Sequence, residues 1–283
     1  MFFYFDPLYF YIVIITLVIS TGAQLFIKSA YSKWSKVQNG SGLTGEDVGH
    51  TIVNRTQLGG SPMPSGGISV NAQQELMRLA SLRDSGVITE DEYRAKQVQL
   101  QRQGGGDTAV NSSSIGFERI GGNLTDHYDP RSHVVRMSEG VAHKRSVSAM
   151  AIVAHELGHA QQHENGSILI TMRNFLLPAV RVSPQISYFL IFIGLIFNVV
   201  GALWLGILFF GLMVLFSILT LPVEIDASRR GRKLLREAGL MLTPEDEKGS
   251  QQVLIAAAST YVAAAVTSIL QLLYYISLAN RRR

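Results

Sequence analysis

No cysteine occurs among the 283 residues. Disulfides and thiolate metal ligands are therefore excluded, and the redox compartment is left open. Charge is scarce as well. Asp, Glu, Lys and Arg supply 16% of the chain against 47% hydrophobic residues, a balance that belongs to a membrane protein. The first apolar run lacks the basic flank and the small-residue cleavage site of a signal peptide, so it reads as a permanent anchor. The apolar runs carry almost no ionisable side chains to line a path, which ranks a channel or transporter below other readings. No aromatic-basic surface pattern is present, so the net charge of +4 points to anionic lipid and not to nucleic acid.

Hydrophobic length is what the chain does have. Residues 10–27 are long enough to cross a bilayer. Residues 186–221 are nearly uncharged and too long for one ordinary crossing at about 1.5 Å of rise per residue. Asn198 and Gly201 near their middle predict a tight turn between two spans. Residues 253–278, rich in Ala and carrying Gln271, form a fourth candidate. The spans are accordingly set at 8–27, at a hairpin over 184–221, and at 253–278. Lys28, Lys33 and Lys36 follow the first span; Arg229, Arg230, Arg232, Lys233 and Arg236 follow the third. Both groups put the intervening polar region in the cytoplasm and the N-terminus outside. Four crossings then leave Arg281, Arg282 and Arg283 outside, against the same rule.

Histidine is rare, with seven in the chain. Two of them stand in His155-Glu156-Leu157-Gly158-His159. On a helix this spacing puts both imidazoles on one face, where they can share a metal ion, and leaves Glu156 beside it as a general base. A zinc ion so held lowers the pKa of a coordinated water toward neutrality. Ser146 or Ser148 would cap the apolar lead-in to this helix. Gly158, a poor helix former, signals a close backbone approach. Catalytic zinc usually takes a third protein ligand. Asn165 stands where a metzincin needs a third histidine, so that class is excluded. His163 lies too far round the helix and reads as an outer partner of the site. Glu224 is the better candidate, in a helix opened by Pro222, with Asp226 as runner-up or as a partner for an imidazole N–H. His155 and Glu224 can meet only if the chain crosses the membrane twice between them, as the hydropathy independently requires.

The remaining polar stretches complete the organisation. Residues 41–54 contain a helix opened by Thr44 and Asp47. Residues 59–67 and 104–114 are Gly- and Ser-rich linkers around a helical hairpin at 72–103, which has the form of an inserted module. Residues 115–120 and 134–138 read as short strands, and 123–130 as either a segment facing the cleft or a turn cluster with satisfied polar groups. A strand upstream of the metal helix suits a protease, because an extended substrate can add to a sheet edge. His127 and Tyr128 would then face the cleft as oxyanion donors. Residues 168–182 read as an interfacial helix.

The run LTDHYDPRSHVVRMSEGVAHKRSVSAMAIVAHELGHAQQH, then LPVEIDASRR and TYVAAAVTSILQLL, resembles the YugP-type neutral zinc metallopeptidases of bacterial membranes. The resemblance covers nearly the whole chain apart from residues 59–114. It implies His155 and His159 as zinc ligands and Glu156 as base. Glu224 as third ligand follows by similarity to membrane gluzincins, although the Glu224-x-Asp226 spacing is shorter than is usual there and keeps Asp226 in contention. LASLRDSGVITEDEYRAKQVQL resembles a SHOCT module, which implies oligomerisation or docking through residues 72–103.

The fold class expected is mainly α, a polytopic membrane protein with four transmembrane helices and a small α+β zincin-like domain. That domain spans residues 28–58 and 115–182, and 222–250 holds the third ligand. The function expected is a zinc endopeptidase with one Zn2+ per chain in the bacterial cytoplasmic membrane. Its site would lie on the cytoplasmic side and act on peptides or membrane proteins. The alternative is a scaffold with a structural zinc site.

Overall fold

The structure, a computed structural model, describes residues 6–56, 58–59, 89 and 115–282. The inserted hairpin expected at 72–103 and nearly all of its linkers lie outside the described residues. The described elements are α1 (Pro7–Trp34), α2 (Gly45–Thr56), β1 (Gly116–Ile120), β2 (His127–Asp129), β3 (Val134–Ser138), α3 (Glu139–Ala142), α4 (Val147–Glu164), α5 (Ile168–Ile196), α6 (Val200–Glu237) and α7 (Pro244–Asn280). The fold is mainly helical. Helices α1, α5, α6 and α7 are long and apolar enough to cross a membrane.

Each of the four exceeds the length that hydropathy alone assigns. They run to 28, 29, 38 and 37 residues, whereas about 20 suffice for a hydrocarbon core. The surplus turns all project from one end of the bundle and become the walls of the polar domain. α6 packs against α5 and α7, and α7 packs against α1. At the other end Asn198, at φ 54°, makes the tight turn between α5 and α6. There Arg281 pairs with Asp6 at 3.2 Å, and Arg282 donates to the Leu195 carbonyl at 2.9 Å. Arg281 and Arg282, two of the three basic C-terminal residues that ran against the charge rule, are thus matched, one by a carboxylate and one by the negative end of α5.

Two boundaries differ from expectation. Pro222 does not open a helix; α6 runs straight through it, and Glu224 sits well inside α6. Proline removes a single donor, and packing on three sides holds the helix together across the gap. Residues 168–182 are not a separate interfacial helix but the first half of α5, which continues past Pro178 and Pro184 into the span.

The polar domain is built around α4, which is buried on almost every side. Met150, Val153, Ala154 and Leu157 are fully buried, packed among Val48 and Ile52 of α2, Val135 and Met137 of β3, and Leu234 of α6. Ser146 opens α4, its hydroxyl accepting from the Ala149 N–H, and Thr44 pairs with Asp47 to open α2. The sheet is mixed, in the order β1-β3-β2, with β1 parallel and β2 antiparallel to β3. β2 lies within residues 123–130, so that stretch is not all turn.

Two glycines set the distance between α4 and α6. A Cβ on Gly158 would collide with the carbonyl oxygen of Ala227, and one on Gly231 would collide with the carbonyl oxygen of Ala154. The two helices therefore meet backbone to backbone at both ends of the contact. Gly231→Val should cost about 1–3 kcal/mol or more through overpacking and should weaken zinc binding as well. Gly211→Ala, where nothing lies within 4 Å, should leave both unchanged. Thermal unfolding of the detergent-solubilised variants and a zinc titration check the pair.

Candidate metal centre

α4 presents His155 and His159 one turn apart, with ring centroids 4.8 Å from each other. α6 returns Glu224 against them. Its Oε2 lies 3.3 Å from Nε2 of His155 and 3.5 Å from Nε2 of His159. One ligand atom from each of the three residues falls within 4.8 Å of the others.

Three features of this cluster fit a divalent cation. Oε2 of Glu224 is buried and has no hydrogen-bond partner, an expensive state for a carboxylate oxygen that a metal would relieve. Zinc bonds of about 2.0–2.1 Å in a tetrahedron place ligand atoms about 3.4 Å apart, close to both Nε2–Oε2 distances. Both imidazoles also have their Nδ1 atoms occupied elsewhere, which leaves Nε2 for the cluster. Nδ1 of His155 meets the Ser228 hydroxyl at 3.2 Å, and Nδ1 of His159 meets Oε1 of Gln162 at 3.0 Å.

Gln162 sets the tautomer of His159. Its amide nitrogen donates to the Val223 carbonyl and to Asp226, each at 2.8 Å, so its oxygen faces the ring. Nδ1 then carries the proton and Nε2 keeps its lone pair. Asp226 is not in the cluster. It accepts from Gln162 and from Arg230, the latter at 2.6 Å, and so reaches His159 only through the glutamine. Burial pushes the His159 imidazole down. The neighbouring Glu224 and Glu156 carboxylates and Gln162 outweigh it and hold the group above the usual histidine range. The cluster favours positive charge.

Glu156 leaves the helix beside the two histidines, one residue after His155 and three before His159, and is buried. Its carboxylate accepts from the backbone N–H of Tyr128 in β2 at 2.9 Å. Burial pushes its pKa up, and the two imidazoles and that N–H only partly offset this. A carboxyl raised toward neutrality suits a general base.

The side chains expected as oxyanion donors are engaged elsewhere. Strand alternation sends His127 and Tyr128 to opposite faces. His127 is exposed and its Nδ1 meets the Thr125 carbonyl at 2.9 Å. The Tyr128 hydroxyl sits between Nδ1 of His133 at 2.6 Å and Nδ1 of His163 at 3.1 Å. His133, at φ 57°, is tied in turn to Glu164 at 3.4 Å. His163 thus anchors β2 to α4, and Tyr128 acts on the site through its backbone. Two groups that sequence reasoning passed over face Glu224: the Arg173 guanidinium of α5, 3.6 Å from Oε1, and the phenol of Tyr261 of α7. Arg173 had a signal, as a cation in an apolar run. Tyr261, in an Ala-rich span, had none.

The profile of a family described as "Putative neutral zinc metallopeptidase" matches residues 9–63 and 108–280. The chain belongs to this family. It is also 30% identical over 269 residues to "Putative membrane protease YugP" of Bacillus subtilis (strain 168), covering 95% of each chain. No solved structure matches. Membership and the four apolar helices make this a zinc metallopeptidase family protein of membranes.

Gln162→Ala should lower zinc affinity about 10–100-fold, as loss of an outer partner of a histidine ligand does. Competition with a chromophoric chelator measures it, and Ser228→Ala should show a smaller loss.

Proposed function

We propose that the chain is a membrane-embedded zinc endopeptidase of gluzincin type, with one zinc ion per chain held by His155, His159 and Glu224. The observation that carries this reading is the buried Oε2 of Glu224, without a hydrogen-bond partner and brought by the α5–α6 hairpin to within 3.5 Å of both Nε2 atoms. Bound zinc would supply a Lewis acid that polarises the scissile carbonyl and acidifies water. Glu156 takes the proton of the attacking water and delivers it to the leaving amine. The Tyr128 N–H fixes one carboxylate oxygen of Glu156 and aims the other. Arg173 and Tyr261 supply donors on the far side of Glu224. β2 is an edge strand whose Tyr128 N–H is already engaged by Glu156, so it lines the approach to the site and does not take up a further strand there.

Among the described residues no fourth His, Cys, Asp or Glu joins the cluster. Three protein ligands favour a catalytic centre over a structural one, which takes four. The metal end of the bundle carries Lys28, Lys33, Lys36 and the Arg229–Arg236 group, which supports a cytoplasmic site in the bacterial inner membrane. The module at 72–103 would serve docking or self-association.

Glu156→Gln should keep stoichiometric zinc and lose cleavage of an unfolded reporter protein by about 100-fold or more, the scale of a general base. Equal cleavage by both forms overturns the mechanism. Removal of zinc by a chelator should abolish cleavage, and added zinc should restore it. Zinc content of purified His155→Ala should fall below one per chain.

A further inference from the structure

The depth of the metal centre can be counted along the helices. The far ends of the bundle are level: Arg281 reaches Asp6, Arg282 reaches Leu195 and Asn198, and Tyr9 lies 5.2 Å from Tyr274. From that level a hydrocarbon core of about 30 Å takes about 20 residues of helix. The inner boundary then falls near Phe26 on α1, Leu177 on α5, Leu219 on α6 and Tyr261 on α7. Lys28 is the first charge beyond it on α1, as that boundary requires. Glu224 lies five residues past Leu219, about 7 Å beyond the hydrocarbon edge, which is the thickness of a headgroup layer. Arg173 lies at the same height on α5.

The centre is also framed by the spans themselves. α5 and α7 both pack on α6 but scarcely on each other. Toward the far end the interval between them is closed by aromatic rings: Phe210 of α6 lies 6.1 Å from Tyr188 of α5 and 5.2 Å from Tyr275 of α7. Toward the metal end it is crossed at Glu224, by Arg173 from one wall and Tyr261 from the other. Met213, Ser217 and Thr220 share the face of α6 that carries Phe210 and Glu224, so they floor the interval between those points. The floor leads from mid-membrane to the metal centre.

We infer that the substrates are membrane-anchored polypeptides, cut in the extended segment about two to five residues beyond the end of an apolar helix. This rests on the peptidase reading and adds the substrate class to it. A segment leaving the bilayer covers about 3.3 Å per residue when extended, so about two residues span the 7 Å to the centre. The substrate helix stays in lipid against the interval between α5 and α7. Tethering holds the scissile bond at high effective concentration at that height, an advantage that a soluble chain lacks.

The test reconstitutes the full-length zinc-loaded protein in vesicles with single-span reporters. One cleavable sequence is placed about 2, 6, 12 or 24 residues from the reporter's helix, with the same sequence also offered as a soluble peptide. Cleavage is expected to be fastest at the shortest spacers and to fall about tenfold or more by the longest and for the soluble peptide. Equal rates across the series, with Glu156→Gln inactive, overturn this inference and leave the peptidase reading standing. Cleavage of no reporter, with zinc bound, overturns both. A second readout needs no turnover. The chain has no cysteine, so Ala264→Cys, one turn from Tyr261 on α7, is introduced beside Glu156→Gln. It should cross-link to a cysteine in the last turn of the reporter helix, and Leu25→Cys, exposed near the same depth on α1, should not. Equal cross-linking at both positions overturns the inference.

Discussion

α4 and α6 come together without side chains between them. Gly158 faces the Ala227 carbonyl, Gly231 faces the Ala154 carbonyl, and the metal cluster is arranged around that contact. Any methyl group at either position separates the helices, and a glutamate side chain is too short to follow the retreat. The same proximity lets Gln162 reach the Val223 carbonyl across the joint and hold His159 from behind. The burial of α4 follows as well. A helix that carries two imidazoles and a carboxylate is surrounded by Val48, Ile52, Met137 and Leu234, and its polar groups are satisfied by one another and by Tyr128, Gln162 and Ser228. The contact thus supplies both alignment and burial, and burial raises the carboxyl of Glu156 against the imidazoles and the Tyr128 N–H.

Much of this was legible in the residues, for physical reasons that can be named. Helical periodicity put His155 beside His159, Ser146 capped their helix, and Gly158 announced a close approach whose partner is Ala227. Crossing parity required the α5–α6 hairpin that returns Glu224. Hydropathy found four spans but cut each of them short, because it sees only the part of a helix that lies in lipid. The turns of α5, α6 and α7 that leave the bilayer are held by contacts with α4 and the sheet, which no local pattern records. Pro222 misled for a related reason. Its preference for a helix start is worth less than the packing that carries α6 through it. β2, three residues long, exists through its pairing with Val134, Val135 and Arg136 and through Glu156, all distant in sequence. Gln162, Arg173 and Tyr261 have ordinary local surroundings; only the fold gives them a common neighbour.

The charges of the bundle are distributed in two ways. At the metal end Arg232 and Arg236 both engage Glu247, and Arg230 engages Asp226, so much of the basic cluster is consumed in tying α6 to α7 and to the site. At the other end a few polar contacts join both chain ends to the α5–α6 turn. The first arrangement fixes the angle at which α6 enters the domain. The second fixes the depth from which that angle is measured. On the proposed reading, a reaction centre in the headgroup layer needs both.

Tyr128 links two quantities that are ordinarily separate. Its ring is wedged between His133 and His163, while its amide holds the carboxylate of Glu156. On the proposed reading, whatever presses on the ring of Tyr128 also shifts the lever that aims the base. The histidine clasp on the ring and the line of the proton acceptor then become a single mechanical coordinate.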